Sequence, residues 1–145
     1  MKLSTMTSRD GLLALMTLGL AVVFIYAGFD KVQDPLHFAD SINAFDILPH
    51  AVIDAMALGL PLFEIGCAVL ILLPPTRRVG ALALTLASAM FFLALLSALL
   101  RGLTLDCGCF GTGVPSRTRM WTELGLDLLL VGGAAAVYVH SMTRR

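Results

Sequence analysis

The sequence predicts an all-α integral membrane protein: a bundle of four membrane-spanning helices, with one short helix in the membrane interface after the first span. Of the 145 residues, 58% are hydrophobic and 14% are charged, which is outside the usual range of soluble globular chains. Four apolar runs of about 20 residues are long enough to cross a bilayer. The length predicts one domain over residues 1–145. The net charge is zero and no basic tract is present, so nothing favours binding to nucleic acid.

The first predicted span covers residues 11–29 approximately and contains no charged residue. A cleaved signal peptide has an apolar core of about 7–15 residues, so this longer run predicts a retained membrane helix. Asp34 and Pro35 then mark a helix start, because aspartate caps a helix and proline suits its first position. The apolar residues that follow at intervals of three are Leu36, Ala39, Ile42 and Phe45. This spacing predicts a short helix lying in the interface.

The second and third predicted spans cover residues 51–73 and 79–100 approximately. They form a tight antiparallel pair, because only a short turn joins them. A stripe of small residues on the second span predicts that a neighbouring helix approaches it closely. The residues of this stripe are Ala51, Ala55 and Gly59.

The fourth predicted span covers residues 120–140 approximately and begins near Trp121, a residue type that favours the membrane–water interface. Between the third and fourth spans lies a polar loop, residues 101–119, which contains two of the three cysteines. These are Cys107 and Cys109, separated by one glycine. This loop is the predicted centre of the chemistry.

The orientation in the membrane follows from the basic residues, because four spans place both termini on one side. The basic residues of that side are Lys2, Arg9, Arg77, Arg78, Arg144 and Arg145. Those of the opposite side are Lys31, Arg101, Arg117 and Arg119. The positive-inside rule therefore predicts cytoplasmic termini and an extracytoplasmic cysteine loop at the cell (inner) membrane. Disulfides persist on that side of the membrane.

The spacing of Cys107 and Cys109 favours a reversible dithiol. Their α-carbons would be about 6.6 Å apart in an extended chain, near the upper limit for a disulfide, and a bend at Gly108 would shorten this distance. A bond closed so tightly is expected to be strained and readily reduced. A static disulfide that only stabilises the loop stays open as an alternative. We expect no metal site, because the loops add only histidines at irregular spacing.

Five further residues are candidates of lower rank. Glu64 and Asp127 are carboxylates within spans, where ionisable groups are functional suspects. For Glu64, a structural bond between helices and a proton or quinone role both stay open, while Asp127 is expected to reach the outer interface. Cys67 is predicted to be a small buried residue. His37 and His50 are predicted to be interfacial polar residues.

The segment Ala27 to Pro35 and the segment Cys107-Gly108-Cys109-Phe110-Gly111 together resemble the MauE branch of the DoxX-like membrane proteins. The resemblance covers most of the chain and implies that Cys107 and Cys109 are the redox residues. Members of that branch are implicated in methylamine utilisation. With a thioredoxin-like partner (MauD), they are thought to support disulfide formation and maturation of the periplasmic methylamine dehydrogenase small subunit. The resemblance assigns no cofactor firmly, and a membrane quinone stays open.

Three functions compete at this point. The first is a component of an extracytoplasmic thiol-disulfide oxidoreductase system, acting on an exported client protein through a thioredoxin-like partner. The second is a non-catalytic membrane anchor or assembly factor whose loop disulfide is structural. The third is a small-molecule carrier that uses Glu64 and Asp127; it is the weakest, because four short spans with few internal polar groups provide little to line a pathway.

Overall fold

The computed structural model describes residues 8–106 and 114–143. Cys107 and Cys109 lie outside the described residues. The helices are α1 (Ser8–Gln33), α2 (Pro35–Ala44), α3 (His50–Leu72), α4 (Arg77–Leu100) and α5 (Arg117–Thr143). Helices α1, α3, α4 and α5 are long and apolar enough to cross a membrane, and no strand occurs in the described ranges. The predicted all-α fold with four candidate spans is confirmed.

Helices α3 and α4 agree with the predicted apolar runs to within two residues, whereas α1 and α5 extend beyond them. Helix α1 continues to Gln33, beyond the predicted end near residue 29, and α5 begins at Arg117 rather than at about residue 120. Helices extend past the apolar run because polar residues are compatible with a helix until a proline or glycine stops it. The depth at which each helix enters the bilayer stays a prediction.

Helix α2 begins as predicted but presents a different face. The Asp34 side chain accepts a hydrogen bond from the His37 backbone N–H at 3.1 Å, and Pro35 is the first helical residue. Leu36 is 79% exposed, so the predicted apolar stripe at intervals of three is wrong. Each step of three residues turns about 60° short of a full helical turn, so Leu36 and Phe45 lie on opposite sides. The buried residues of the packed face are Phe38, Ser41, Ile42 and Phe45.

Two glycines allow the long helices to approach each other closely. A Cβ atom on Gly28 of α1 would lie 2.9 Å from the carbonyl oxygen of Pro61 in α3. One on Gly80 of α4 would lie 2.6 Å from the backbone nitrogen of Ile71 in α3. The small stripe predicted on α3 is wrong, because Ala51, Ala55 and Gly59 are all exposed and nothing lies within 4 Å of a Cβ built on Gly59.

One end of the bundle carries the candidate redox loop, and we call it the loop end. It is formed by α2, the first turns of α3 and α5, and the last turns of α4. Its core is a cluster of apolar side chains from α4, α5 and the end of α2. The buried members are Phe45, Leu95, Ala98, Leu99, Met120 and Leu124. This packing holds the two helices between which the cysteine loop runs.

Candidate functional site

The chain enters the cysteine loop through a defined helix end. Gly102 has a φ of 75°, a left-handed conformation that glycine adopts without steric cost. The backbone N–H of Leu103 donates to the Ala98 carbonyl at 3.0 Å, and that of Gly102 donates to the Leu99 carbonyl at 3.1 Å. These two bonds form a Schellman motif. The motif turns the chain back over the end of α4.

The residues just before Cys107 pack against the bundle. The side chains of Leu103 and Leu105 contact the apolar cluster of the loop end, and the Leu105 backbone N–H donates to the Met120 sulfur at 3.3 Å. Asp106 is the last described residue before the cysteine pair. Its Oδ2 lies 3.7 Å from Nε2 of His37 on α2. The first cysteine therefore follows directly after a residue that contacts α2.

The chain leaves the cysteine loop through the capped start of α5. The backbone N–H of Arg119 donates to the Ser116 hydroxyl at 3.1 Å, which is the usual bond of a serine N-cap. The Arg119 Nε donates to Glu123 Oε1 at 2.9 Å, one turn further along the helix. Glu123 is buried. Both ends of the loop are thus held by the same bundle end.

Arg101 also belongs to the loop end. Its guanidinium Nη2 donates to the carbonyl oxygen of Phe45, the residue that caps α2. Arg101 therefore links the end of α4 to the end of α2.

A second polar site lies inside the bundle, and we call it the interior cluster. Lys31 Nζ, in the last turn of α1, donates to Glu64 Oε2 of α3 at 2.8 Å. The two side chains are only 4% and 2% exposed. The Lys31 ammonium also lies 5.4 Å and 5.3 Å from the ring centroids of Phe38 and Phe91, within range of a cation–π interaction. The pair joins α1 to α3 out of contact with solvent.

Asp127 of α5 and Ser88 of α4 complete the interior cluster. Both are buried, and with Lys31 and Glu64 they line a cavity of about 20 Å³. Asp127 Oδ2 and Ser88 Oγ have no hydrogen-bond partner among the described residues. The cluster therefore brings together side chains from four helices around a space about the size of one water molecule.

The predicted candidates have different outcomes. Glu64 is paired inside the bundle, which was one of its two open interpretations. The prediction that Asp127 reaches the outer interface is wrong, because Asp127 is 5% exposed and faces the cluster. Cys67 is buried, as predicted. His37 contacts Asp106 beside the cysteine loop, whereas His50 is an exposed residue at the start of α3.

The sequence interpretation missed three residues: Lys31, Ser88 and Glu123. It placed Lys31 in an outer loop, but the residue lies in α1 and is buried. A signal was available, because Lys31 follows Phe24 and Ala27 at helical spacing of seven and four and so continues their buried face. Glu123 lies one turn from both Arg119 and Asp127, a spacing that places all three on one face. Ser88 gave no signal beyond its place in an apolar span.

Comparison with known proteins agrees with the MauE part of the resemblance. A family model described as "Methylamine utilisation protein MauE" matches residues 9–140. The methylamine utilization protein MauE of Paracoccus denitrificans is 31% identical over 119 residues, 81% of this chain and 63% of that relative. The protein of the same name from Methylorubrum extorquens is 29% identical over 119 residues, 81% of this chain and 60% of that relative.

A third relative, MauE of Methylophilus methylotrophus, is 30% identical over 94 residues, 64% of this chain and 50% of its own length. The aligned part of the chain thus spans between half and 63% of the length of these curated relatives. No solved structure matches the chain. The family model covers nearly the whole sequence. The described residues of the chain include four long helices that are apolar enough to cross a membrane. The chain belongs to the MauE family of methylamine utilisation proteins.

Proposed function

We propose that this protein is the membrane component of an extracytoplasmic thiol-disulfide redox system that supports disulfide formation and maturation of an exported protein. Cys107 and Cys109 are its redox residues. One observation carries the proposal: the Cys-Gly-Cys segment lies between two chain segments that the loop end holds through Asp106 and Ser116. Membership of the MauE family makes methylamine utilisation the first context to test, with the methylamine dehydrogenase small subunit as the first client. Kinship with the wider DoxX-like proteins is part of this proposal.

The proposed chemistry is thiol–disulfide exchange. A thiolate of one protein attacks a disulfide of the other, a mixed disulfide forms, and the second thiol of the attacking pair resolves it. Two thiols are oxidised to a disulfide while one disulfide is reduced to two thiols, so electrons and protons balance between the partners. The partner is a thioredoxin-like extracytoplasmic protein of the MauD type. The sequence contains one cysteine pair besides Cys67. When reduced Cys107 and Cys109 are reoxidised to a disulfide, a membrane quinone or a second cysteine pair on the partner therefore accepts the two electrons.

The proposed orientation places the cysteine loop outside the inner membrane and both termini in the cytoplasm. The burial of Lys31 in the bundle supports this, because a paired interior lysine no longer counts as a loop charge. The basic residues left at the loop end are Arg101, Arg117 and Arg119. The opposite side has Arg77 and Arg78, together with the basic residues of both termini. The positive-inside rule then favours the same orientation by a wider margin.

The test replaces each cysteine separately and reports on the client protein. We expect Cys107→Ser and Cys109→Ser each to abolish formation of client disulfides, measured by thiol alkylation of the exported client. One of the two variants should also accumulate a mixed disulfide with the partner, because the resolving thiol is missing. Cys67→Ala is the matched control, since Cys67 is a buried thiol and its loss should leave client disulfides intact. Intact client disulfides in both serine variants would reject the proposal.

The competing anchor or assembly function makes the opposite prediction for the same loop. If the loop disulfide only shapes a docking surface, the double variant Cys107→Ala/Cys109→Ala retains client maturation whenever it retains partner binding. The carrier function finds no support in the interior cluster. The cavity between Glu64 and Asp127 is about 20 Å³, which is room for one water molecule and not for a small organic solute.

A further inference from the structure

The interior cluster contains more acidic than basic groups. Lys31 is bound to Glu64, and Asp127 lines the same cavity without a hydrogen bond from either. The other charged groups near Asp127 lie on its own helix. Glu123 is one turn away, and Arg119 binds Glu123. Among the described residues, the Lys31 ammonium is therefore the one cation in the cluster for two carboxyl groups, those of Glu64 and Asp127. The nearest cation on α5, Arg119, is bound to a third carboxyl group, that of Glu123.

A charged carboxylate at the position of Asp127 would be costly. The residue is 95% removed from solvent, and a buried ionised group without a paired cation is strongly disfavoured. Glu64 on the neighbouring helix α3 and Glu123 one turn away on α5 add repulsion between like charges. The neutral acid form, which carries a proton on one carboxyl oxygen, removes both costs. That form still requires an acceptor for its O–H and a donor for its other oxygen.

The cavity offers a place for that hydrogen-bonding partner. Its volume of about 20 Å³ exceeds the roughly 10–15 Å³ that one water molecule needs. A buried water also requires two to four polar neighbours. Asp127 Oδ2 and Ser88 Oγ are both buried and without a partner among the described residues, and the Lys31–Glu64 pair forms part of the same wall.

We propose that the interior cluster is a proton-binding site. One bound water molecule joins Asp127 and Ser88 to the Lys31–Glu64 pair, and Asp127 carries an exchangeable proton. The proposal goes beyond the redox function, because it involves none of the cysteines. Asp127 is not part of the Lys31–Glu64 ion pair that joins α1 to α3. It can therefore bind and release this proton without breaking that pair.

The test is infrared spectroscopy of the full chain in lipid nanodiscs at neutral pH, in H₂O and in D₂O. We expect the C=O band of a protonated carboxylic acid, which shifts to lower frequency in D₂O. Asp127→Asn should abolish this band, and Asp54→Asn, which changes an exposed aspartate of α3, should retain it. A wild-type protein without the band, or a band that survives in Asp127→Asn, would overturn the proposal.

Two further variants keep the test decisive. Asp127→Glu retains the acid, so the band should move rather than vanish, even if Asp127→Asn does not fold. Ser88→Ala removes one partner of the water, so the Asp127 band should shift in frequency, and an unchanged band would reject the bridging water. The readout is spectroscopic and independent of disulfide exchange, so failure of this proposal is distinguishable from failure of the proposed function.

Discussion

The two polar sites of this protein differ in how far each is removed from water. In the interior cluster, Lys31 and Glu64 approach to 2.8 Å with side chains 4% and 2% exposed. At the loop end, His37 and Asp106 are 3.7 Å apart with side chains 38% and 11% exposed. The first pair connects two long helices, and the second connects α2 to the segment before the cysteines. Both join elements distant in sequence, but in different surroundings.

This difference gives the two sites different roles. The interior cluster holds the long helices together, whereas the polar contacts of the loop end can rearrange. A buried charge that loses its partner cannot be solvated by bulk water, so the interior pair has one stable arrangement. The partly exposed groups of the loop end can exchange a protein contact for water at small cost. A loop that forms a mixed disulfide with a partner must be able to adjust. The described residues that flank the cysteine segment belong to this more exposed site, which is compatible with the proposed redox exchange.

The largest expected effect comes from breaking the interior pair on one side. Lys31→Met or Glu64→Leu alone leaves a buried group without its partner, and we expect each to lower the free energy of unfolding by about 3–5 kcal/mol. The double variant replaces both charges by apolar side chains of similar size, so it should recover most of this loss. The measurement is reversible unfolding in mixed detergent micelles. Single variants as stable as the wild type would contradict a structural role for the pair.

A smaller effect is expected from the helix contact beside the pair. In Gly28→Ala, the new Cβ would lie 2.7 Å from Ile65 Cγ1 and 2.9 Å from the Pro61 carbonyl oxygen, so α1 and α3 must separate. We expect a loss of about 1–3 kcal/mol in the free energy of unfolding.

Gly59→Ala is the matched control for Gly28→Ala, because nothing lies within 4 Å of its Cβ. It should be neutral or slightly stabilising, as alanine favours a helix over glycine. Equal stability losses in the two variants would show that the α1–α3 contact is not specific.

The smallest effect is expected at the loop end. Arg101→Gln removes the guanidinium that donates to the Phe45 carbonyl, and because water can replace this exposed donor we expect a loss of about 1 kcal/mol. Amide hydrogen exchange should accelerate at the end of α2 and remain unchanged around Glu64. Arg117→Gln, at the exposed start of α5, serves as the control and should change neither. A loss as large as that of the interior variants would remove the contrast between the two sites.

The sequence predicts the long helices well because apolar length is a local property. The start of α2 is equally local, since Asp34 and Pro35 determine it within two residues. The pairing of Lys31 is not a local property. A lysine after Phe29 and Asp30 resembles the start of a loop, and its partner Glu64 lies 33 positions further along the chain. Only the packing of α1 against α3 brings the two together.

The packed faces of the helices could not be predicted for a similar reason. Small residues occur on several faces of these helices, and a stripe of them shows where close approach is permitted but not where a neighbour lies. Ala51, Ala55 and Gly59 satisfy the pattern and are exposed, whereas Gly28 and Gly80 are the glycines at close helix contacts. The predicted redox residues Cys107 and Cys109 lie outside the described residues and stay a prediction.

The measurement that tests the proposed function most directly is the midpoint potential of Cys107 and Cys109. The membrane-embedded protein is equilibrated across a glutathione or dithiothreitol series, and its free thiols are alkylated and counted. We predict a reversible couple between about −120 and −270 mV, the range of known exchange catalysts. A disulfide that resists reduction down to about −300 mV would be a structural bond, and it would contradict a redox role for the cysteine loop.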